Sequence, residues 1–187
     1  SITSGSDVTL ATANVVLEST GGNLTLNNNL TATDGSITAT SNGGNISVGN
    51  VLLTAQSTAG NFNGGNVSLV ANGGNSISLN STNIYTGGNC LGCSSGDINL
   101  TTVGGGNVNI ANGSLLYALD MSNSAGSPQF QANGGNINLN SSGGITLSGG
   151  SNRLYTYATA GGASGGNVNL NATNNINFSN GTHYLVS

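Results

Sequence analysis

The side chains able to do acid–base chemistry are few and scattered along the chain. One arginine, Arg153, and five carboxylates are its only charged residues, the acids being Asp7, Glu18, Asp34, Asp97 and Asp120. In the repeat layout described below, no two acids share a face at neighbouring heights, so the paired carboxylates of a glycosidase are not supported. The single histidine, His183, has no nucleophile beside it to activate. We therefore predict that the chain is not an enzyme and holds no metal or cofactor.

The two cysteines form a C-x-x-C pair, Cys90 and Cys93. A thioredoxin-like site would need a helix after the motif, and no helical pattern follows it. A zinc site would need two further ligands, and His183 lies three rows away. We interpret the pair as a disulfide that closes a small loop in an oxidising compartment, which predicts a secreted protein. The alternative is a pair of reduced thiols.

The composition argues against nucleic acid as a partner and against a membrane-spanning helix. The net charge is -4, and Arg153 is the only strongly basic side chain, so little is available to neutralise phosphates and nucleic acid is not an expected partner. No apolar run reaches the roughly 18 residues of a membrane-spanning helix, so we expect no membrane span. The sequence also begins without a charged and apolar leader.

A short repeat dominates the rest of the sequence. Gly134-Gly135-Asn136-Ile137-Asn138-Leu139 has close copies that begin at Gly21, Gly43, Gly64 and Gly165, and a looser copy that begins at Ser95. The glycines and the asparagine suit a sharp corner, and the alternating apolar and polar residues have the period of a strand with one buried face. Apolar residues at i and i+2 would be spread around a helix, so the pattern predicts strands.

Rows that end at these corners suggest a three-sided β-solenoid. The rows are 1–22, 23–44, 45–65, 66–96, 97–135, 136–166 and 167–187, and the short ones have the length of one solenoid turn. Each row holds three strands, which we expect to pair in parallel and in register with those of the next row. The first-strand column is Ile46, Val67, Ile98, Ile137 and Val168, and the second-strand column is Val51, Ile77, Val108, Ile145 and Ile176. The prediction is one all-β domain with about seven rungs.

The asparagine of each corner has two interpretations. Its side-chain amide could bond to the equivalent amide of the next row and form a ladder. It could instead only tolerate a left-handed backbone.

Rows four to six contain extra residues after the third strand. The surplus segments are 87–94, 120–133 and 160–164. Since rows stack, the three loops should lie beside one another on one edge, where repeat scaffolds often carry functional residues.

Tyrosines recur in the third strand. Tyr85, Tyr117, Tyr155 and Tyr184 are expected at matching positions, and Tyr157 follows Tyr155 by two places. If Glu18, Gln56 and Asp120 point to solvent, the pleat turns the tyrosines inward and the neighbouring aliphatics outward. The column is then either a tyrosine ladder in the core or part of a face that packs on another molecule or carries a ligand. The candidate interaction face comprises Leu52, Ile84, Leu116, Leu154, Tyr85, Tyr117, Tyr155, Tyr157 and Tyr184.

The Gly-Gly-Asn-aliphatic-polar-aliphatic repeats, poor in charge and rich in Asn, Ser, Thr and Gly, resemble those of the filamentous-haemagglutinin class of large bacterial surface proteins. The resemblance covers nearly the whole chain. It implies an extracellular right-handed parallel β-helix that serves in adhesion, in a biofilm matrix or in a surface filament. The class has no catalytic motif to transfer to this sequence.

Neither end of the chain shows a capping helix or a polar terminal row, which solenoids generally need. We therefore expect uncapped ends, in a segment of a longer rod or in copies that stack end to end as a filament. The first functional hypothesis is a structural or adhesive fibre that self-associates. The alternative is a carbohydrate-binding module that uses the third-strand tyrosines and the corner loops to bind host or matrix glycans.

Overall fold

The computed structural model describes residues 2–3, 6–11, 13–57, 63–88, 93–119, 133–156, 158 and 163–187. Within this part of the chain the regular structure consists of twenty strands, and no helix occurs. The strands group into seven rungs. Rungs one to three are β1 (Ile2–Thr3), β2 (Val8–Ala11), β3 (Val15–Ser19), β4 (Leu24–Leu26), β5 (Leu30–Thr33), β6 (Ile37–Ser41), β7 (Ile46–Gly49), β8 (Leu52–Thr54) and β9 (Val67–Ala71).

Rungs four to seven continue the same order. They are β10 (Ile77–Asn80), β11 (Asn83–Tyr85), β12 (Ile98–Thr102), β13 (Val108–Ala111), β14 (Leu115–Tyr117), β15 (Ile137–Ser141), β16 (Ile145–Ser148), β17 (Arg153–Tyr155), β18 (Val168–Ala172), β19 (Ile176–Ser179) and β20 (Tyr184–Val186). The first strand of every rung joins one sheet, here called sheet A, the second joins sheet B and the third joins sheet C. All strand pairs are parallel, which confirms the predicted three-sided parallel β-helix.

The core lies between the three sheets and follows the predicted alternation. Leu24, Ile46, Ile77, Val108 and Ile145 stack in one column of sheet A, and each is completely buried. Residues two places further along, such as Leu26 and Leu147, are buried as well. Burial of a full aliphatic side chain contributes about 1.5–3 kcal/mol, so these columns are the main source of stability.

The register of the third row was predicted wrongly. Ile46 pairs with Ile77 in sheet A and not with Val67. Val67 lies in sheet C, between Ile37 and Ile98. The error arose because Gly-Gly-Asn occurs at two different corners, before sheet A at residues 43–45 and 73–75 and before sheet C at residues 64–66. The third rung is therefore longer than the predicted row.

Side-chain oxygens at the corner before sheet C bond to the backbone of the next rung. Each accepts a hydrogen bond from the amide N–H of the equivalent residue one rung later, at 2.7–3.0 Å. The acceptors are Asn14, Ser36, Asn66, Asp97 and Asn136. Amide-to-amide bonds, such as Asn167 Nδ2 to Asn136 Oδ1 at 3.3 Å, are secondary. The described non-glycine residues with a left-handed backbone are Asp34, Asn50, Ser81, Asn112 and Asn180. None of them is a corner asparagine before sheet C, so those asparagines serve as acceptors.

Glycines at the same corner allow successive rungs to approach closely. A Cβ built on Gly65, Gly96, Gly135 or Gly166 would overlap the carbonyl oxygen of the glycine one rung earlier. The atoms it would meet belong to the backbone, which cannot rotate away as a side chain could. The second glycine of this corner is therefore a packing requirement.

We expect Gly135→Ala to destabilise the protein by about 1–3 kcal/mol, the usual cost of forcing extra volume into a packed site. The matched control is Gly21→Ala, because a Cβ at Gly21 meets nothing within 4 Å. Urea unfolding followed by circular dichroism measures both changes. Equal midpoints for the two variants would contradict the packing role.

Candidate functional site

The described carboxylates serve as hydrogen-bond acceptors between rungs. Asp7 accepts from the backbone N–H of Asn29 at 2.9 Å, and Asp97 accepts from that of Asn136 at 2.7 Å. Glu18 accepts from the amide of Asn42, and Asp34 accepts from the hydroxyl of Ser57. Asp120 lies outside the described residues. In the part of the chain that the structure describes, no group of three His, Cys, Asp or Glu residues could hold a metal ion.

His183 is half-buried and links rung seven to rung six. Its Nε2 lies 3.3 Å from the carbonyl oxygen of Ser179, and its Nδ1 lies 3.2 Å from Nδ2 of the buried Asn152. Oδ1 of Asn152 accepts hydrogen bonds from the backbone of Gly113 and Ser114, which fixes the orientation of the amide. Sequence reasoning considered His183 as a catalytic or zinc-binding residue and missed this structural contact.

The orientation predicted for the tyrosine strand was inverted. Ile84, Leu116 and Leu154 are completely buried, so they cannot belong to an exposed face. Tyr85 and Tyr117 point outward and are half-buried.

Two of the outward markers used for that prediction were unsuitable. Glu18 belongs to sheet C, whereas the tyrosines lie in sheet B. Asp120 follows the end of β14, and the alternation has already stopped there, because Ala118 and Leu119 are both buried.

The outward side chains of sheet B in rungs three to seven form a surface that we call the tyrosine face. One column contains Leu52, Asn83, Leu115, Arg153 and Tyr184, and the next contains Thr54, Tyr85, Tyr117, Tyr155 and Val186. Tyr184 therefore lies beside Arg153 and is not in the column of the other tyrosines. Tyr157 lies outside the described residues.

Three tyrosine rings stack along the axis of the solenoid. The ring centroids of Tyr85 and Tyr117 are 5.4 Å apart with a tilt of 48°, and those of Tyr117 and Tyr155 are 5.2 Å apart and nearly parallel, at 11°. Such pairs contribute about 0.5–1.5 kcal/mol beyond their burial. The rings of Tyr117 and Tyr155 therefore cover one face of each other, whereas the ring of Tyr85 is tilted against that of Tyr117.

Arg153 places the only cation of the chain on this face. Its guanidinium carbon lies 5.6 Å from the centroid of the Tyr184 ring, within cation–π range. Hydrogen bonding with the Tyr117 side chain is the largest cause that raises the pKa of Arg153, followed by charge interactions with Tyr117 and Tyr155. The tyrosine face therefore carries the positive charge of Arg153.

The described ends of the predicted corner loops lie beside one another, next to the tyrosine face. Gly64 N–H donates to the carbonyl of Ser94 at 2.9 Å, Ser94 pairs with Asn133, and Ser164 N–H donates to Oδ1 of Asn133 at 3.0 Å. Rung three contributes a fourth such corner, 55–66, which sequence reasoning missed because the third row was misaligned.

The middles of these loops fall outside the described residues, as does Cys90. Cys93 is buried in the corner of rung four, between β11 and β12. The Cys90–Cys93 disulfide remains a prediction.

Comparisons with known proteins add no family. No protein-family model matches the chain, and neither a curated protein nor a solved structure matches it significantly. Within the described residues, no helix has the length and apolar character needed to cross a bilayer.

Tyr85 is expected to make the stability of the protein depend on pH in the alkaline range. Burial, and then the neighbouring Tyr117, raise the pKa of Tyr85 above its ordinary value. The unfolded chain ionises this phenol near pH 10, about the value for a free tyrosine. Its contribution to stability is therefore complete below about pH 10 and is lost as the pH rises through the folded pKa. We expect the urea midpoint to fall less steeply with alkaline pH in Tyr85→Phe than in the wild type, and identical slopes would contradict this assignment.

Proposed function

We propose that the chain is a rod-forming unit of an extracellular structural or adhesive fibre, extended by end-to-end stacking of further rungs. One observation carries this proposal. The apolar columns of the core continue into the first and last rungs of the described residues, where the same positions are partly exposed.

The last rung illustrates the exposed core. Ile176, Phe178 and Leu185 are 40–47% exposed, although their partners one rung earlier, Ile145, Leu147 and Leu154, are completely buried. In the first rung, Val8 and Leu10 are 38% exposed, and their partners Leu30 and Ala32 are buried. A further rung on either edge would bury this surface and pair with its backbone. In a fibre, another copy of the chain supplies that rung.

Two sequence features support the extracellular part of the proposal. The Gly-Gly-Asn repeats resemble those of filamentous-haemagglutinin-like surface proteins, which are exported and adhesive. A Cys90–Cys93 disulfide would be stable in the same oxidising environment.

Stacking can be tested by electron microscopy and light scattering of the purified chain over a range of concentrations. We expect fibres in the wild type. Phe178→Asp should raise the concentration needed for assembly by at least about tenfold, since burying a phenylalanine contributes roughly 1.5–3 kcal/mol. Val103→Asp is the matched control, because Val103 is 50% exposed on a corner of rung four, away from both ends. A monodisperse wild-type monomer at high concentration, without fibres, would refute the proposal.

A second candidate function is glycan binding by the tyrosine face and the adjacent corner loops. The outward position of Tyr85, Tyr117 and Tyr155 beside Arg153 favours it. Since the rings of Tyr117 and Tyr155 cover one face of each other, a sugar on this pair would contact ring edges, phenol hydroxyls and the guanidinium group. Binding would therefore depend on hydrogen bonds more than on stacking of a sugar on a ring.

Glycan-array binding followed by calorimetry tests this second function. Arg153→Gln removes the exposed cation with little risk to folding and should weaken binding of a captured glycan by about tenfold or more, the loss of a charge-assisted hydrogen bond. Asn109→Ala, on the outward side of sheet A, should leave the affinity unchanged. If the two variants bind alike, the tyrosine face is not the site.

A further inference from the structure

The stacked tyrosines of sheet B also form a candidate site of covalent modification. Tyr85, Tyr117 and Tyr155 occupy the same outward position on rungs four, five and six, and their ring centroids are 5.4 Å and 5.2 Å apart. We propose that this column is a site of oxidative tyrosine coupling, in which Tyr117 becomes joined to Tyr155 or to Tyr85 by a carbon–carbon bond between the two rings. The co-reactant is hydrogen peroxide, used by a haem peroxidase that acts from outside the chain.

The reaction balances with two phenols and one peroxide. Each phenol gives one electron and its hydroxyl proton to the oxidant, which leaves two phenoxyl radicals. The radicals combine through ring carbons ortho to the oxygens, and the two ortho protons then move to the oxygens, so both rings regain aromaticity and their hydroxyls. Hydrogen peroxide takes up the two electrons and two protons and becomes two molecules of water.

The fold supplies the geometry for this step. In-register pairing of Tyr117 with Tyr85 and Tyr155 holds the backbones at the spacing of adjacent strands, about 4.8 Å. The terminal torsion of a tyrosine side chain is broad, so small rotations can bring the ortho carbons together. Groups held in this way react as if at a very high local concentration, which favours coupling within one chain over coupling between chains.

Tyr184 separates this geometric explanation from simple exposure. It is 41% exposed, more than any of the three stacked tyrosines, but it lies in the neighbouring column beside Arg153. If solvent exposure alone decided reactivity, Tyr184 would react before the three stacked tyrosines and would form links between chains. The stacked column instead predicts links within one chain that include Tyr117.

The experiment treats the dilute, purified chain with a peroxidase and limiting hydrogen peroxide. Dityrosine fluorescence reports coupling, the intact mass of the monomer fraction reports the loss of two hydrogen atoms per link, and peptide mapping locates each link. We expect links in the monomer fraction that include Tyr117, with a yield that does not change on dilution. Tyr117→Phe keeps the aromatic ring but lacks the hydroxyl group, and it should lower the yield of dityrosine in the monomer fraction by at least about tenfold. Tyr184→Phe should leave that yield unchanged.

Two results would overturn the proposal. One is coupling found only in covalent dimers or mapped to Tyr184, and the other is a wild-type yield in Tyr117→Phe. If Tyr117→Phe fails to fold, the wild type in urea takes its place, because unfolding removes the stacking and should abolish the preference for Tyr117. A preference that persists in urea would equally refute a role for the fold.

Discussion

The rest of this structure depends on the close approach of successive rungs at the corner before sheet C. There the second glycine of each corner lies directly against the carbonyl of the glycine one rung earlier, at Gly65, Gly96, Gly135 and Gly166. The residue after this glycine has a side-chain oxygen that accepts a hydrogen bond from the backbone N–H of the equivalent residue one rung later. The glycine permits the approach and the acceptor fixes its register, so the strands of sheet C that follow these corners each begin at a defined height above the strand one rung earlier.

Fixed spacing places equivalent residues of neighbouring rungs in direct contact. Amides then bond to amides on the outward side of sheet C, where Asn169 donates to Asn138 and Asn138 donates to Asn99, each at 2.8 Å. Phenol rings stack on phenol rings in sheet B for the same reason. Like charges in such a column would repel one another at strand spacing. This constraint explains why a chain of this length contains only 3% charged residues.

The fold was predictable because its two signals, apolar residues at alternate positions and Gly-Gly-Asn corners, are local features of a single rung. Pairing between rungs is not local, and the same corner sequence precedes both Ile46 in sheet A and Val67 in sheet C. The two copies differ in the length of the connection that contains them, which spans 42–45 before Ile46 and 55–66 before Val67. The side on which Tyr117 lies was likewise not predictable from residues beyond its strand, because the pleat ends there and both Ala118 and Leu119 are buried.

The same reasoning locates where this solenoid can differ from others of its kind. In rungs four to six, the outward positions of sheets A and C carry small or amide side chains, among them Ser78, Thr146, Asn99 and Asn138. These side chains fit the stacking of the rungs and resemble one another chemically. Sheet B combines aromatic, aliphatic and cationic groups in adjacent columns, and the longest connections leave from its strands. Since the outward positions of the other two sheets carry similar small and amide side chains, we expect specificity for a ligand or a modifying enzyme to arise on the side of sheet B.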